Sequence, residues 1–507
     1  MKQVVVKKNR YADSVSLMSL SEQVSAIPGI ENAEVQMATR ANRDVLKELG
    51  YSLPDGVGSS DLVIAVRAEN REALEKAIAR AEELLDHKAQ GDTRYNDLSE
   101  ISPCLDPYDL CQISLPGEYA AAEAKKALEM GMDVFMFSDN VSLAEEKELK
   151  TLAEEKGLLV MGPDAGVALI GGVALAAGSI IRPGPVGIVG ASGSGAQEVG
   201  CIIEKCGLGV SEIIGTGGRD LYPEIGGVTM KAGISRLEKD ENTKVIVLVS
   251  KLASLSVMDE VLTLADDCKK PVVAVFLGSD EKLFENHRVI GAFSLEEAAL
   301  KAVKLAGGDV SSFGFSEEEI KRIANEAIQK LPPEKKYFRG LYCGGTFTEE
   351  GLQYFAAHNA SSRLFSNLKT KYAETLTDPE KSFGHTVLDL GSEEFTAKAP
   401  HPVFDPELRL KRLRRELDDP ETGVVLLDFI TGPGVAKDPV TSFAEVCGEH
   451  PEVVFIASIC GSLEDPQDVR RAEKALREKG VIVTPSNHQS ARLASAIIKQ
   501  LDGRTAK

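Results

Sequence analysis

Two glycine-rich runs stand where a strand gives way to a helix, and they are the first places in this sequence that could do chemistry. One reads VGIVGASGSGAQE, with Ser192, Gly193, Ser194 and Gly195 at the turn; the other reads GLYCGGTFTEEG, with Gly344, Gly345, Thr346 and Thr348. A strand running through small residues into a helix presents free backbone N–H groups and the positive end of the helix dipole at the carboxyl edge of a sheet, where a phosphate or carboxylate can settle. Glycine lets the backbone approach an anion without a Cβ in the way, and the hydroxyls add donors. The plainer alternative is a tight turn capped by serine. A third run, IGTGGRDL, sets Gly217 and Gly218 before Arg219, whose guanidinium could clamp a phosphate or carboxylate or could form a surface ion pair. His385 and His401 could donate to a developing oxyanion or exchange a proton near neutral pH, or could simply bond to backbone; Pro400 and Pro402 stiffen the loop around His401. Asp389, Glu393 and Glu394 read as cap or surface acids, whereas Glu198 and Glu350, one turn into their helices, stand where they could orient donors.

The loops belong to an internal repeat. VGIVGASGSGAQEVG at 186–200 corresponds to GLYCGGTFTEEGLQ at 340–353, and EIIGTGGRDL to TVLDLGSEEF. LEKDENTKVIVLVSK at 237–251 corresponds to LDDPETGVVLLDFI at 417–430, and KPVVAVFLGS to PEVVFIASIC. Equivalent loops in paired domains favour anion binding over a mere turn. Two flavodoxin-like three-layer domains are expected over 184–333 and 334–507, with the charged, proline-containing KLPPEKK at their boundary.

Ahead of the repeat, residues 1–100 read as strand, helix, strand, irregular segment, strand and helix, a ferredoxin-like α+β domain ending in a linker from Asp92 to Pro107. An assembly or packing role is the plain reading of that domain, and binding of a small regulator the alternative. Residues 101–183 alternate near-continuous apolar strands with helices, which implies a Rossmann-like domain with a parallel sheet covered on both faces. The dinucleotide fingerprint Gly-x-Gly-x-x-Gly is missing from it. Ala165 to Ile181 is uncharged but glycine-rich and barely of spanning length, so it reads as a buried strand-loop-strand.

Composition limits the partners. The net charge of −20 repels nucleic acid and anionic membrane surfaces, so neither is expected, and small anions must be drawn in by local sites. The eight cysteines form no Cys-x-x-Cys pair and lie near no clustered histidines, so no metal and no redox dithiol is expected, and a reducing cytoplasm fits. The N-terminus lacks the apolar stretch of a signal peptide.

VMGPDAG, RPGPVGIVGASGSGAQE, IGTGGRDL and KPVVAVF resemble, in that order, the α subunit of succinyl-CoA synthetase. Over nearly the whole chain the sequence is similar to the FdrA family, which looks like a fusion of α-subunit domains with the ligase domain of the β subunit; HTVLDLGSEEFTAKAPHPVFDPELRLKRL is the stretch most like it. The resemblance implies that 101–183 corresponds to the synthetase's CoA-binding domain and that the two later domains are ligase-type. It also marks departures. The synthetase carries phosphate on a histidine within Gly-His-Ala-Gly-Ala; here the region reads FENHRVIGAFSLEEAA, where His287 lacks those flanks. Lys251 stands where the synthetase has the glutamate that orients that histidine, and lysine cannot accept a histidine's hydrogen bond. A phosphohistidine relay is therefore not expected. The glycine loop that opens the CoA-binding domain has no counterpart, and no ATP-grasp module fits the chain, so neither CoA nor ATP/ADP is placed on it alone.

What the resemblance implies about function is a subunit of a carbamoyltransferase like oxamate carbamoyltransferase, with carbamoyl phosphate as substrate and a role in ureide (allantoin) catabolism. His401, Arg219 and His385 would then be its catalytic residues. An acyl-CoA synthetase (ADP-forming) component is the first alternative, and a non-catalytic scaffold or regulatory subunit the second. A chain without its own nucleotide domain is expected to work in a hetero-oligomer with the products of neighbouring genes.

Overall fold

A computed structural model describes all residues except 9, 11, 13, 55, 59–60, 88–108, 360–361, 398 and 506–507. The linker expected from Asp92 to Pro107 lies outside the described residues. The chain divides into two compact units, one of residues 1–108 and 114–130, the other of residues 109–113 and 131–507.

In the first unit β1 (Lys2–Lys7), α1 (Ser14–Ser25), β2 (Ile30–Met37), α2 (Arg40–Glu48), β3 (Leu62–Ala68) and α3 (Arg71–His87) follow in order. The antiparallel sheet has the order β1-β3-β2. The most apolar strand, LVIAVRA, takes the middle because both of its faces are covered. Ile64 and Val66 pack under Leu17, Leu20 and Val24 of α1 and Leu74 and Ala77 of α3. On the opposite face Val63 and Ala65 meet Leu46 and Tyr51. The segment expected to be irregular holds α2, whose start is fixed by Thr39: its hydroxyl accepts the N–H of Asn42 at 3.3 Å.

The second unit opens with a parallel sheet of β4 (Leu110–Ile113), β5 (Asp133–Met136) and β6 (Val160–Met161). In chain order α4 (Gly117–Glu129), which falls in the first unit, follows β4, and α5 (Leu143–Lys156), held at its start by a capping box between Ser142 and Glu145, follows β5. Then β7 (Val167–Ile170) and β8 (Val173–Ala176) form a hairpin that joins the sheet of the first repeat copy, so that sheet takes strands from before residue 183.

The first copy runs β9 (Pro183–Gly190), α6 (Gly193–Lys205), β10 (Val210–Gly215), α7 (Val228–Lys239), β11 (Val245–Lys251), α8 (Leu255–Asp266), β12 (Val272–Leu277), β13 (Ile290–Ala292) and α9 (Leu295–Leu305). After α10 (Glu317–Lys330) the second copy runs β14 (Tyr337–Tyr342), α11 (Gly345–His358), β15 (Leu364–Ser366), β16 (Glu374–Thr375), β17 (His385–Asp389), α12 (Glu393–Thr396) and α13 (Glu407–Leu417). It ends with β18 (Thr422–Ile430), α14 (Thr441–Glu449), β19 (Val454–Cys460), α15 (Val469–Glu478), β20 (Ile482–Thr484) and α16 (Asn487–Thr505).

The sheet orders β13-β12-β11-β9-β10-β7-β8 and β16-β15-β17-β14-β18-β19-β20 contain the same five-strand path. In it β9 matches β14, β10 matches β17 and β11 matches β18. The repeat read from sequence is thus a repeat of topology, and α6 and α11 are its equivalent first helices. Both copies share one core, in which Val199 and Ile202 of α6, Ala298 and Ala302 of α9, Leu352 and Phe355 of α11, and Ala494 and Ile497 of α16 are buried together. Within the first copy α6 packs just as closely: a β-carbon on Gly200 would come within 2.6 Å of Ile181.

Candidate functional site

The two glycine loops meet. Ser192 caps α6, accepting the N–H of Gly195 at 3.1 Å, and its hydroxyl lies 2.8 Å from that of Thr346 in the first turn of α11. Ser192 and Thr346 are buried, whereas Gly193, Ser194, Gly344 and Gly345 form a half-buried rim. A β-carbon on Gly195 would sit 2.8 Å from Ser192 Oγ, so this turn requires glycine. Two helices thus direct their unsatisfied N–H groups and the positive ends of their dipoles to one place at the carboxyl edges of both sheets.

Charged side chains close the rim. A β-carbon on Gly345 would lie 3.0 Å from Asp389 Oδ2 and 3.6 Å from Lys251 Nζ, which places the last residues of β17 and β11 beside the second loop. Lys251 Nζ stands 4.0 Å from Glu349 Oε2, with both side chains partly open to solvent. Asp389 accepts the Gly391 N–H at Oδ1 over 2.9 Å. Burial raises its carboxyl pKa to about 6, helped by Asp428 and Glu394 and opposed by the Gly391 N–H and Lys251. Burial raises Asp164 to about 6 as well, with Asp139 adding to the rise and Arg219 and Lys251 opposing it. The site therefore offers convergent N–H donors, a lysine, and two carboxyls that exchange protons just below neutrality.

The other residues singled out in the sequence are placed as follows. Gly217 and Gly218 follow β10 at the same edge, where Thr216 N–H bonds to Gly190 O at 2.8 Å. Gly217 has φ of +82°, and a β-carbon there would run into the Pro163 carbonyl, so only glycine fits. Arg219 takes the ion-pair alternative: its Nη2 lies 2.8 Å from Val141 O and 2.8 Å from Glu146 Oε2. Glu146 also meets Lys150 at 2.9 Å, and Lys150 meets Asp220 at 2.7 Å, so Arg219 completes a buried charge network. Thr348 turns its hydroxyl back to Gly344 O at 2.9 Å.

His385 begins β17 whereas Asp389 ends it, which puts the histidine roughly 13 Å from the loops at about 3.3 Å per residue. It accepts the Phe338 N–H at 3.1 Å and lies 3.2 Å from Asp502, a packing role. His401 lies closer: its Nε2 side packs on Gly391 while Nδ1 accepts the Val403 N–H at 3.3 Å. Burial lowers its pKa to about 4, so at neutral pH it is an uncharged wall of the second loop. His287 is held by Asp266 at 2.8 Å and Asp259 at 3.2 Å on α8; burial opposes its protonation, but the two carboxylates hold its pKa above the ordinary value.

Behind the loops the copies cap each other. Glu198 of α6 accepts the N–H of Asn487, the first residue of α16, at 2.9 Å. Glu350 of α11 accepts the N–H of Leu295, the first residue of α9, at 2.8 Å, and a further bond from Asn487 Nδ2 at 2.8 Å. The two glutamates do orient donors, and the backbone N–H that each receives belongs to a helix of the opposite copy. Of the site residues, the sequence left Asp164 unmarked, read Asp389 as a cap or surface acid, and set Lys251 apart only by its place in the synthetase comparison.

Comparisons with known proteins fit this geometry. A CoA-ligase family model matches residues 341–497, and a CoA binding domain model matches residues 181–278, including the Ser192 loop rather than 101–183. Residues 1–100 match a model described as AllF, heavy metal-associated domain; they contain no cysteine, so the thiolates that favour soft metals are missing. The uncharacterized protein YahF of Escherichia coli is 39% identical over 98% of both chains. This chain belongs to the YahF family, which is succinyl-CoA synthetase-like. Subunit alpha 2 of an ADP-forming succinate–CoA ligase from Archaeoglobus fulgidus is 28% identical over 28% of this chain and 49% of its own length, so the match spans about half of that subunit. Among solved structures, the apo dinucleotide-forming acetyl-coenzyme A synthetase 1 of Ca. Korarchaeum cryptofilum is 16% identical over 82% of this chain and 87% of that one, with a TM-score of 0.30. The carbamoyltransferase expectation is corrected by these findings: the family's matched domains are CoA-ligase and CoA-binding domains, and the acyl-CoA synthetase alternative takes its place. No helix among the described residues is long and apolar enough to cross a membrane.

Proposed function

We propose that this chain is the CoA-ligase component of an ADP-forming type of acyl-CoA synthetase, interconverting an acyl-CoA plus phosphate with an acyl phosphate plus CoA. The observation that carries the reading is the convergence of α6 and α11 at Ser192 and Thr346, with Lys251 at the rim. In one direction a phosphate oxygen attacks the thioester carbonyl, the new C–O bond forms, and the C–S bond breaks as CoA leaves and takes a proton. The N–H groups of the two loops would hold the phosphate dianion and the oxyanion that develops on the carbonyl, and the Lys251 ammonium would offset their charge. The A. fulgidus relative is named for succinate, so small carboxylic acids are the substrate class to test first.

With Lys251 at β11 and His287 engaged on α8, phosphate would travel as the free ion or acyl phosphate rather than on a histidine. Phosphorylation of ADP by the acyl phosphate then falls to a partner subunit, in a hetero-oligomer. The test is release of free CoA thiol from acetyl-, propionyl- and succinyl-CoA with and without phosphate, with acyl phosphate trapped as the hydroxamate. Phosphate-dependent thiol release with matching hydroxamate is expected. Thiol release that ignores phosphate for every acyl group, in the chain purified with its partners, would overturn the reading.

A further inference from the structure

We infer that Asp389 is the acid–base group of this site, touching the bound anion through Oδ2 and carrying the proton that moves to or from the CoA thiol. The inference rests on the acyl-exchange reading and adds to it a residue and a proton requirement. Asp389 is 6% exposed, and while Oδ1 is held by Gly391, no hydrogen bond from the described residues reaches Oδ2. That oxygen points past Gly345 at the start of α11, beside Lys251. A carboxyl oxygen without a donor, on a side chain that is otherwise buried and aimed at a helix N-terminus, either serves as the anion itself or must carry a proton when another anion arrives.

The surroundings favour the second case. From β18 the Asp428 carboxylate faces Asp389, and from α12 Glu394 does, while Lys251 faces it from β11 and neutral His401 packs on the adjoining Gly391. Asp428 is itself engaged through Oδ1 by Arg409 at 3.3 Å and by the Cys343 N–H at 2.8 Å, which ties it to β14 and α13. The first copy has no such group: β10 ends in Gly215 at the equivalent place, where a β-carbon would strike the Val167 backbone of the added hairpin. In the second sheet the parallel strands β15 and β16 lie beside β17 where the first sheet has that hairpin, and β17 ends in a carboxyl.

In acyl phosphate formation, protonated Asp389 donates its proton to the departing CoA sulfur as the C–S bond breaks. In the reverse direction its carboxylate takes the thiol proton as sulfur attacks the acyl carbon and the C–O bond to phosphate breaks. Sulfate, a dianion across the working range, separates this proton from phosphate's own titration. Wild-type protein should bind sulfate about 5-fold more weakly at pH 7 than at pH 6 and about 10-fold more weakly again at pH 8, as expected where binding requires one proton. Asp389→Asn should bind sulfate with little pH dependence and lose at least about 100-fold in exchange rate, and Asp389→Glu should restore part of both behaviours. Wild-type affinity that stays flat from pH 6 to 8, or full exchange in Asp389→Asn, would overturn the inference while leaving the acyl-exchange reading intact. No sulfate binding by the wild type even at pH 6, together with no exchange, would overturn both.

Discussion

The Glu350 carboxylate on α11 receives the N–H of Leu295, 2.8 Å away at the start of α9, so a residue of the second copy terminates a helix of the first. Glu198 returns the arrangement at Asn487. Since α6 and α11 also carry the two anion loops, the caps and the loops sit on the same pair of helices, and their spacing is fixed from both ends.

Glu350→Ala should therefore destabilise the fold and loosen the site together. The change leaves the Leu295 N–H and the Asn487 amide without their acceptor in a buried place, a loss of roughly 2–6 kcal/mol at about 1–3 kcal/mol for each orphaned group. Burial sets against this by raising the Glu350 pKa to about 7, so part of the loss is offset at alkaline pH, where the wild type must hold a buried charge. Urea denaturation at pH 6 and pH 8 should show the larger difference at pH 6. A midpoint unchanged at pH 6 would mean that the cap contributes nothing.

Lys251 gives a prediction about binding rather than stability. Its side chain is partly exposed and its contact with Glu349 is 4.0 Å, so its removal should cost the fold little. It is the cation nearest the second loop, and a charge-assisted contact to a bound dianion contributes about 1.5–3 kcal/mol. Sulfate affinity in Lys251→Ala should fall roughly 10- to 100-fold, and Lys251→Glu should fall further because a third carboxylate joins Asp389 and Glu349. Calorimetric titration that finds wild-type affinity in both variants would remove Lys251 from the site.

How much of this could be read in the sequence differs from residue to residue. The repeat, the parallel sheets and both glycine loops were legible because apolar strands, small residues at the turn and amphipathic helices are local patterns. The strand-loop-strand near residue 170 was legible for the same reason, but only its first strand is buried, the loop and β8 being at least partly open to solvent, and its pairing with β10 was not legible because pairing partners leave no local mark. Helix α2 was missed because nine residues with three apolar positions give too short a period to detect. Asp389 and Lys251 come together only through the strand order, and a carboxyl at a strand end looks the same whether it faces solvent or a helix N-terminus. Arg219 and His385 were the right residue types for chemistry, but their partners, buried Glu146 and half-buried Asp502, are distant in sequence and decide their contacts.

Asp389 also ties stability to pH, and the sign follows from its shift. A carboxyl whose pKa is higher in the folded chain than in the unfolded one favours the fold while protonated; that contribution is complete below the unfolded value and is lost as pH rises through the folded value. For Asp389 the loss should run from about pH 4 to about pH 6. Above pH 6 the native protein carries a buried carboxylate, so Asp389→Asn, which keeps the shape without the charge, should be more stable than the wild type at pH 7.5 by roughly 1–3 kcal/mol and should lose that advantage below pH 4.5. Thermal unfolding of both proteins across pH 4–8 reads the difference directly. A constant offset across that range would show that Asp389 does not titrate in the folded protein, and a variant less stable at pH 7.5 would show that its charge is compensated by groups other than those around Gly345.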